Sequence, residues 1–579
     1  MLLVKICYLF GELLGKIVVH GYYLTMPMQP RPPEELISAI VADILAYPEP
    51  NQKAIDNAIR KHLHGTVYRY PRMVEIIANY REIAKRDQTR RPDLERLLRV
   101  CTVRTDSGVA PVTLLTKPYA CPGKCVYCPT EVRMPKSYVA SEPAAARALM
   151  LKFDPYEQVV KRVEALENNG HEAKKLELII KGGTWSAYPW TYREWFIKRC
   201  FDAANQIGKA EPQEYATLLE SQLANESADY RVIGLTIETR PDWIDAKEVI
   251  RLRTLGVTRV ELGVQTLDEE VLRLTNRGHG VAEVERATIL LKAAAFKTDY
   301  HFLPGQPGST ADGDVQMFSE MFDDPRFRPD MVKIYPCVVI PSAELAEWHK
   351  EGRFKPLEGE ELVEAMIKMK VRVPYYCRIS RLIRDFPSTE ISGGNMVTNL
   401  RDVIKLRMHE RGLVCRCLRC REAGHRPSLG RDVEPQFFVE SYENAGGMEY
   451  FLSIEDPART TVLGFLRLRL PFKNQSYADA KTAKALQEIY EALPEVRDSA
   501  FVRELHTYGQ ALRIKDDNGS MVQHKGIGRR LMQEAEAIAA REGFSAIIVI
   551  SGIGVRAYYR DLGYERAGTY MRKQLGDKT

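Results

Sequence analysis

Cys121-Pro-Gly-Lys-Cys125-Val-Tyr-Cys128 places three thiols on one short loop, spaced Cys-x3-Cys-x2-Cys, directly after the β-branched run Val112–Leu115. Three cysteines on such a loop can ligate three irons of a 4Fe–4S cluster and leave the fourth iron open. A structural zinc knuckle would need a fourth ligand close by, and the loop contains none. Outward from this loop, the runs Leu176–Ile180, Val232–Ile237, Arg259–Val264 and Met331–Tyr335 alternate with amphipathic helical stretches over about 270 residues. That alternation predicts parallel strands with crossover helices in a full or partial (βα) barrel, whose chemistry lies at the C-terminal strand ends. Gly182-Gly183-Thr184, Ile237-Glu-Thr-Arg240 and Glu261-Leu-Gly-Val-Gln265 occupy such ends, which makes Gly182, Gly183, Thr184, Glu261 and Gln265 candidate cofactor contacts.

The chain has 579 residues, 45% hydrophobic and 28% charged, an ordinary globular composition too long for one core. Its organisation is read as a multidomain α/β protein. An N-terminal extension (1–32) precedes a basic helical region (33–99) and the barrel (100–392); a cysteine-rich metal-binding linker (393–435) and a mixed α/β domain (436–579) follow. The formal charge of +6 is concentrated: Arg60–Arg104 carries 12 basic and 5 acidic residues, and Arg401–Arg431 carries 9 and 3. The first patch, with Tyr68, Tyr70 and Tyr80 interleaved, fits either a solvated helix face or a polyanion footprint. Arg86, Arg90 and Arg91 are its candidate RNA contacts. Met1–Met26 is apolar, but Lys5, Glu12 and Lys16 interrupt it and no A-x-A site follows. The expectation is an amphipathic extension, or Met26 or Met28 as the true start, with no membrane span and a cytoplasmic location.

A second cluster, Cys415-Arg-Cys417-Leu-Arg-Cys420, predicts a metal site, zinc before an auxiliary iron–sulfur cluster, with His409, His425 and Cys377 as candidates for the fourth ligand. Near the C-terminus, Gln523-His524-Lys525-Gly526-Ile527-Gly528 opens a helix, and such a loop presents backbone N–H groups that suit the pyrophosphate of coenzyme A. Tyr558 and Tyr559 fit core aromatics or, as the resemblance of this segment to the Gcn5-related acetyltransferases implies, candidate catalytic residues near the thioester.

The Cys-x3-Cys-x2-Cys spacing with Tyr127 before its last cysteine, and the glycine pair after the second strand, resemble the radical S-adenosylmethionine superfamily. The Gln523–Gly528 loop with Tyr558-Tyr-Arg-Asp-Leu-Gly-Tyr564 resembles the Gcn5-related acetyltransferases. Together with Arg104-Thr-Asp-Ser-Gly108, Ile237-Glu-Thr-Arg-Pro-Asp242, His301-Phe-Leu-Pro-Gly305 and Cys420-Arg-Glu-Ala-Gly424, they make the chain similar to the catalytic subunits of Elongator. The resemblance implies formation of 5-carboxymethyluridine at the wobble position of transfer RNA, with a 4Fe–4S cluster at Cys121, Cys125 and Cys128, S-adenosylmethionine, acetyl-CoA and zinc. In the implied chemistry a 5′-deoxyadenosyl radical takes a hydrogen from the acetyl methyl, the carbon radical adds to the uridine, and thioester hydrolysis releases the product. The implied partners are the anticodon stem-loop and a reductant such as ferredoxin or flavodoxin, acting on a monomer or homodimer. The alternative is a protein lysine acetyltransferase of histone type, which leaves the first cysteine loop without a role.

Overall fold

The computed structural model describes residues 29–100, 105, 108–211, 213–423, 434–473, 479–508 and 526–576, and the backbone of four two-residue strands at 18–19, 22–23, 514–515 and 521–522. The chain divides into two compact units, residues 1–102 with 165–171, and residues 103–164 with 172–579.

In the N-terminal unit the 3.6-residue apolar spacing yields helices α1 (Glu34–Leu45), α2 (Gln52–Leu63), α3 (Met73–Arg86) and α4 (Pro92–Leu98). Their inner faces share one core that includes Ile40, Ile44, Ile55, Ile76 and Leu94. Asn51 caps α2 by accepting from Ala54 N at 3.0 Å. At the start of α3, Glu75 accepts from Arg72 N at 2.7 Å and from the Arg69 guanidinium at 2.7 Å. Tyr80 belongs to this core at 1% exposure, and its hydroxyl accepts from Arg91 N at 2.8 Å. It is therefore a packing residue and not an aromatic of the basic surface; Tyr70 is exposed.

The second unit contains an open seven-stranded parallel sheet in strict sequence order, curled into a half-barrel: β1 (Ala110–Leu115), β2 (Lys175–Lys181), β3 (Arg231–Thr239), β4 (Arg259–Gln265), β5 (Lys297–Phe302), β6 (Met331–Ile334) and β7 (Arg378–Arg381). Of the full and partial barrels expected, this is the partial one. β5 and β7 were not visible in the hydrophobic pattern, because Asp299, His301 and the two arginines of Arg378–Arg381 break it.

A second, mixed sheet has the order β8 (Gln436–Asn444), β9 (Gly447–Glu455), β10 (Val462–Pro471), β11 (Ser499–Thr507), β12 (Ala546–Val549), β14 (Tyr570–Gln574), β13 (Glu565–Ala567). Only β11 and β12 run parallel, and their pairing stops at Val502–Val549 while β11 continues to Thr507 against β10. A β-bulge sits at the same point, where Glu504 pairs with Arg467 and Val502 with Leu468, leaving Arg503 out of register. The open side of β11 beyond Val502 therefore forms a cleft. Helix α5 (Ile527–Arg541) begins beside it, close enough that a Cβ on Gly464 would lie 2.7 Å from Ile527 Cγ2.

The linker is structurally integrated with both sheets. Its helix Leu400–Glu410 is followed by Arg411, which pairs with Glu364 at 2.5 Å, and Arg407 pairs with Glu360 at 3.3 Å, so part of the second basic patch is neutralised within the fold. Arg421 is buried and donates to Glu455 of β9 and to Tyr375 O, both at 2.6 Å. Glu422 is ion-paired to Arg378 of β7. Beneath the half-barrel, Asp330 just before β6 pairs with Arg503 of β11 at 2.5 Å and with Lys292 at 2.9 Å. Arg503 also pairs with Glu449 at 2.7 Å, and all four side chains are buried.

Candidate active site

At the C-terminal ends of the half-barrel strands, the 121–128 loop meets the end of β2. Cys121 Sγ lies 3.5 Å from Thr184 Oγ1, and Arg277 Nη1 donates to Cys125 Sγ at 3.4 Å. Gly182 and Gly183 have φ of 155° and 82°; a Cβ on the first would overlap Thr116 Oγ1, and on the second would stand 2.9 Å from Lys136 O. Both positions thus need glycine for close approach to the end of β1 and to Lys136, in the segment that follows the cysteine loop. Gly123 leaves room in the same way for the Arg240 guanidinium.

This loop fits a cluster on two observations, the cations beside it and the spacing of its sulfurs. Arg240 and Arg277 supply positive charge, and Arg240 Nη1 and Arg277 Nε are buried without hydrogen-bond partners. Burial and the neighbouring Cys125 push the Cys128 thiol up to about 12, whereas Arg277 overcomes burial to lower Cys125. The loop also differs from Cys415, Cys417 and Cys420, whose three sulfurs lie within 4.8 Å of one another, alone among the described residues in forming such a group. Three thiolates on one zinc stand about 3.8 Å apart, while thiolates on three separate irons stand farther apart.

Inside the half-barrel, alternate strand positions build a buried charge network. Glu261 of β4 is ion-paired to Lys181 and Lys333, and His301 Nε2 stands 3.1 Å from it. Glu238 lies 3.4 Å from Lys181 and accepts from Tyr138 at 2.7 Å. Burial would raise Glu261, but the two lysines and His301 hold it well below the usual carboxylate range. Burial, with Lys333, lowers His301 despite both glutamates, so it is neutral at pH 7. Gln265 ends β4 with φ of 71°, and its carbonyl accepts from Leu303 N at 2.8 Å. Sequence reasoning finds Glu261 and Gln265 here but not Lys181, Lys333, Arg277 or Tyr138. Charged residues at alternate positions of otherwise apolar strands were the available signal.

In the C-terminal domain, Gly526 has φ of 127° and opens α5. A Cβ on Gly528 would lie 2.7 Å from the Tyr558 hydroxyl, so this tyrosine projects over the helix N-terminus. Tyr558 is 40% exposed, whereas Tyr559 is buried, its hydroxyl pushed far up by burial. That division favours Tyr558 for chemistry and Tyr559 for packing. Gln523, His524 and Lys525 lie outside the described residues, as do His425 and the first 17 residues of the extension. A cavity of about 1000 Å³ joins this cleft to the N-terminal ends of the half-barrel strands. Its lining includes Gly526, Gly528, Tyr558 and His506 on one side and Arg231, Lys297 and Arg378 on the other.

Around Cys415, Cys417 and Cys420, Lys370 Nζ approaches Cys420 Sγ at 3.8 Å. Burial would lower the lysine, but the three cysteines raise it. A zinc ion with three thiolates carries one negative charge, which this cation matches. Neither Cys377 nor His409 joins the group. Aerobically purified protein is expected to retain zinc here, and the variant lacking Cys121, Cys125 and Cys128 should contain zinc and little iron by metal analysis. Iron without zinc in that variant would mean an iron–sulfur centre at Cys415–Cys420.

On the N-terminal unit, Arg86 and Arg90 are 74% and 77% exposed, each paired with a surface carboxylate, Asp87 and Glu95. Arg91 is different: it donates to Tyr47 O at 2.8 Å and Pro48 O at 2.6 Å, holding the end of α1. Arg86→Ala with Arg90→Ala is expected to reduce the log–log salt slope of transfer RNA binding by about 0.9 for each phosphate no longer neutralised. Arg91→Ala should chiefly lower the melting temperature. An unchanged slope in filter binding across salt concentrations would leave Arg86 and Arg90 as solvated surface.

A cysteine loop at the C-terminal mouth of a parallel half-barrel, ringed by arginines and a glycine pair, defines a radical S-adenosylmethionine enzyme. The comparisons agree. Residues 116–318 match the Radical SAM superfamily and residues 329–410 the Radical_SAM C-terminal domain. The chain is 45% identical to a tRNA uridine(34) acetyltransferase of Methanocaldococcus jannaschii over 83% of this chain and 87% of that one. It is 35% identical to human Elongator complex protein 3 over 94% and 98% of the two chains. The archaeal Methanocaldococcus infernus Elp3 structure with an N-terminal deletion superposes with a TM-score of 0.68 at 42% identity, covering 81% of this chain and 99% of that one. The chain belongs to the family of the tRNA uridine(34) acetyltransferases and Elongator complex protein 3.

Proposed function

We propose that this protein forms 5-carboxymethyluridine at the wobble position of transfer RNA, with acetyl-CoA as carbon donor. The 45% identity to a tRNA uridine(34) acetyltransferase over 83% of this chain carries this reading; the cavity beside β11 reaches the N-terminal base of the half-barrel, the opposite end from the cysteine loop, within one compact unit. When bound, a 4Fe–4S cluster with S-adenosylmethionine supplies a 5′-deoxyadenosyl radical able to take hydrogen from the acetyl methyl group. Cys121, Cys125 and Cys128 hold the cluster, and Gly182, Gly183 and Thr184 shape the space beside it for the methionine end.

The Glu238–Glu261–His301 network keeps the half-barrel interior polar and preorganised for a flipped uracil. At the other site, the N-terminus of α5 with Gly526 and Gly528 receives the pyrophosphate. The Tyr558 hydroxyl orients the thioester. Arg86 and Arg90 bind RNA phosphates, and zinc at Cys415, Cys417 and Cys420 fixes the linker between the two sheets. The electron comes from a ferredoxin- or flavodoxin-type reductant. Lysine acetylation is the weaker reading, because it uses only the C-terminal domain and finds no support in the relatives' names.

Mass spectrometry of anticodon nucleosides from cells lacking the gene tests this. Carboxymethyluridine derivatives are expected to disappear and to return with the wild-type gene but not with Cys125→Ala. Unchanged nucleosides would refute the reading.

A further inference from the structure

Phe465, Arg467, Glu504 and His506 lie on one face of β10 and β11, and that face lines the cavity beneath the half-barrel. His506 follows the bulge at Arg503, on the stretch of β11 that β12 no longer covers. Its ring stacks on Phe465 at 5.8 Å and tilts against Tyr508 at 4.5 Å, which fixes its orientation. Its Nε2 is buried with no hydrogen-bond partner. Other buried side-chain nitrogens share this lack, His279 Nε2 and Arg467 Nη1 among them, and His506 is the histidine of that group that lines the cavity.

The carboxylates inside the cavity are all engaged. Glu504 is held by Arg467 at 2.8 Å and Lys297 at 3.1 Å, Glu177 by Arg259 at 2.9 Å, and Glu422 by Arg378 and the Tyr508 hydroxyl. Asp561 lies on the exposed surface. His506 is thus the remaining base among the described side chains that line the cavity.

We propose that His506 is the general base that activates water to hydrolyse the thioester. This inference rests on the acetyl-CoA reading above. A water proton passes to His506 Nε2 as the water oxygen adds to the thioester carbonyl carbon. The carbon–sulfur bond then breaks, and the proton passes from His506 to the departing coenzyme A sulfur. The products are a carboxylic acid and a free thiol, with no change of oxidation state.

The charged groups facing His506 are Glu504 on its own strand, Glu422 from the linker, and Arg378 and Lys297 from the half-barrel. Burial lowers its pKa, assisted by Arg378 and Lys297 and opposed by the two glutamates. The imidazole is therefore unprotonated and competent at neutral pH.

The test measures thiol release from acetyl-CoA by the full-length protein with transfer RNA, alongside coenzyme A binding. His506→Phe keeps a ring against Phe465 and Tyr508 but removes the nitrogen. It is expected to lose about 100-fold or more of the hydrolysis rate with coenzyme A binding unchanged. The wild-type rate should fall only as pH drops below the usual histidine value of about 6.5, because the base form is lost on the acid side, and the variant should lack that limb. Should His506→Phe fail to fold by thermal melting, His506→Gln provides the same comparison. Hydrolysis retained by the variant overturns the assignment, and so does its loss together with coenzyme A binding, which would mark a packing role. Wild-type protein that neither binds coenzyme A nor releases thiol would instead sink the acetyl-CoA reading itself.

Discussion

Cys121→Ala, Cys125→Ala and Cys128→Ala are each expected to abolish the 4Fe–4S cluster in anaerobically reconstituted protein, with complete loss of modified uridine. The three thiols are the minimum set that ligates three irons and leaves one open, and the described surroundings offer no substitute: Arg277 and Arg240 flank the loop with cations, and Thr184 supplies only a hydroxyl. Iron content, charge-transfer absorbance and the electron paramagnetic resonance of the reduced centre check the first part, and nucleoside analysis the second. Transfer RNA binding should persist, since the proposed phosphate contacts lie in the N-terminal unit. A full cluster retained in all three variants would remove the radical mechanism.

Asp330→Asn is expected to destabilise the second unit by about 3–5 kcal/mol, the range for removing one partner of a buried ion network. Its carboxylate is wholly buried and meets Arg503 at 2.5 Å, Lys292 at 2.9 Å and Thr298 N at 2.9 Å. Amide replacement leaves two buried cations undercompensated and turns an acceptor into a donor facing them. Burial alone would raise the Asp330 pKa, but Arg503 and Lys292 hold it well below the carboxylate range. The sign follows from that depression: the stabilisation is complete above the unfolded aspartate value of about 3.9 and is lost as pH falls through the lower folded value. Denaturant unfolding at pH 7 and pH 3 checks this. A loss under about 1 kcal/mol would show the network to be dispensable, as some buried pairs are.

The cysteine loop, the glycine pair and the strands β1 to β4 were legible because local spacing encodes them: a thiol period, an apolar run, a polar residue at its end. β5 was not, since Asp299 and His301 turn polar atoms into the half-barrel interior and remove the apolar alternation on which strand reading depends. Asp330 and Arg503 are separated by 173 positions, and nothing local marks either as half of a contact. Tyr80 shows the reverse error: an aromatic among arginines looked like surface, but its 3.6-residue phase with Ile76 and Ile77 places it in the helical core. His506 drew no notice because its meaning depends on where β12 stops pairing, which is a property of the sheet.

Ser551-Gly552-Ile553-Gly554 has the look of a phosphate-binding turn, yet a Cβ on Gly552 would overlap Ile233 O and one on Gly554 would stand 2.5 Å from Arg231 Cβ at the start of β3. The two glycines form a joint where main chain lies directly on main chain, pinned alongside by Arg556 and Glu226 at 3.0 Å. A side chain inserted there acts as a wedge. Such a lesion would spare every cofactor ligand, and each half could still pass its own binding assay while product formation collapsed. Only an assay of the whole reaction would expose it.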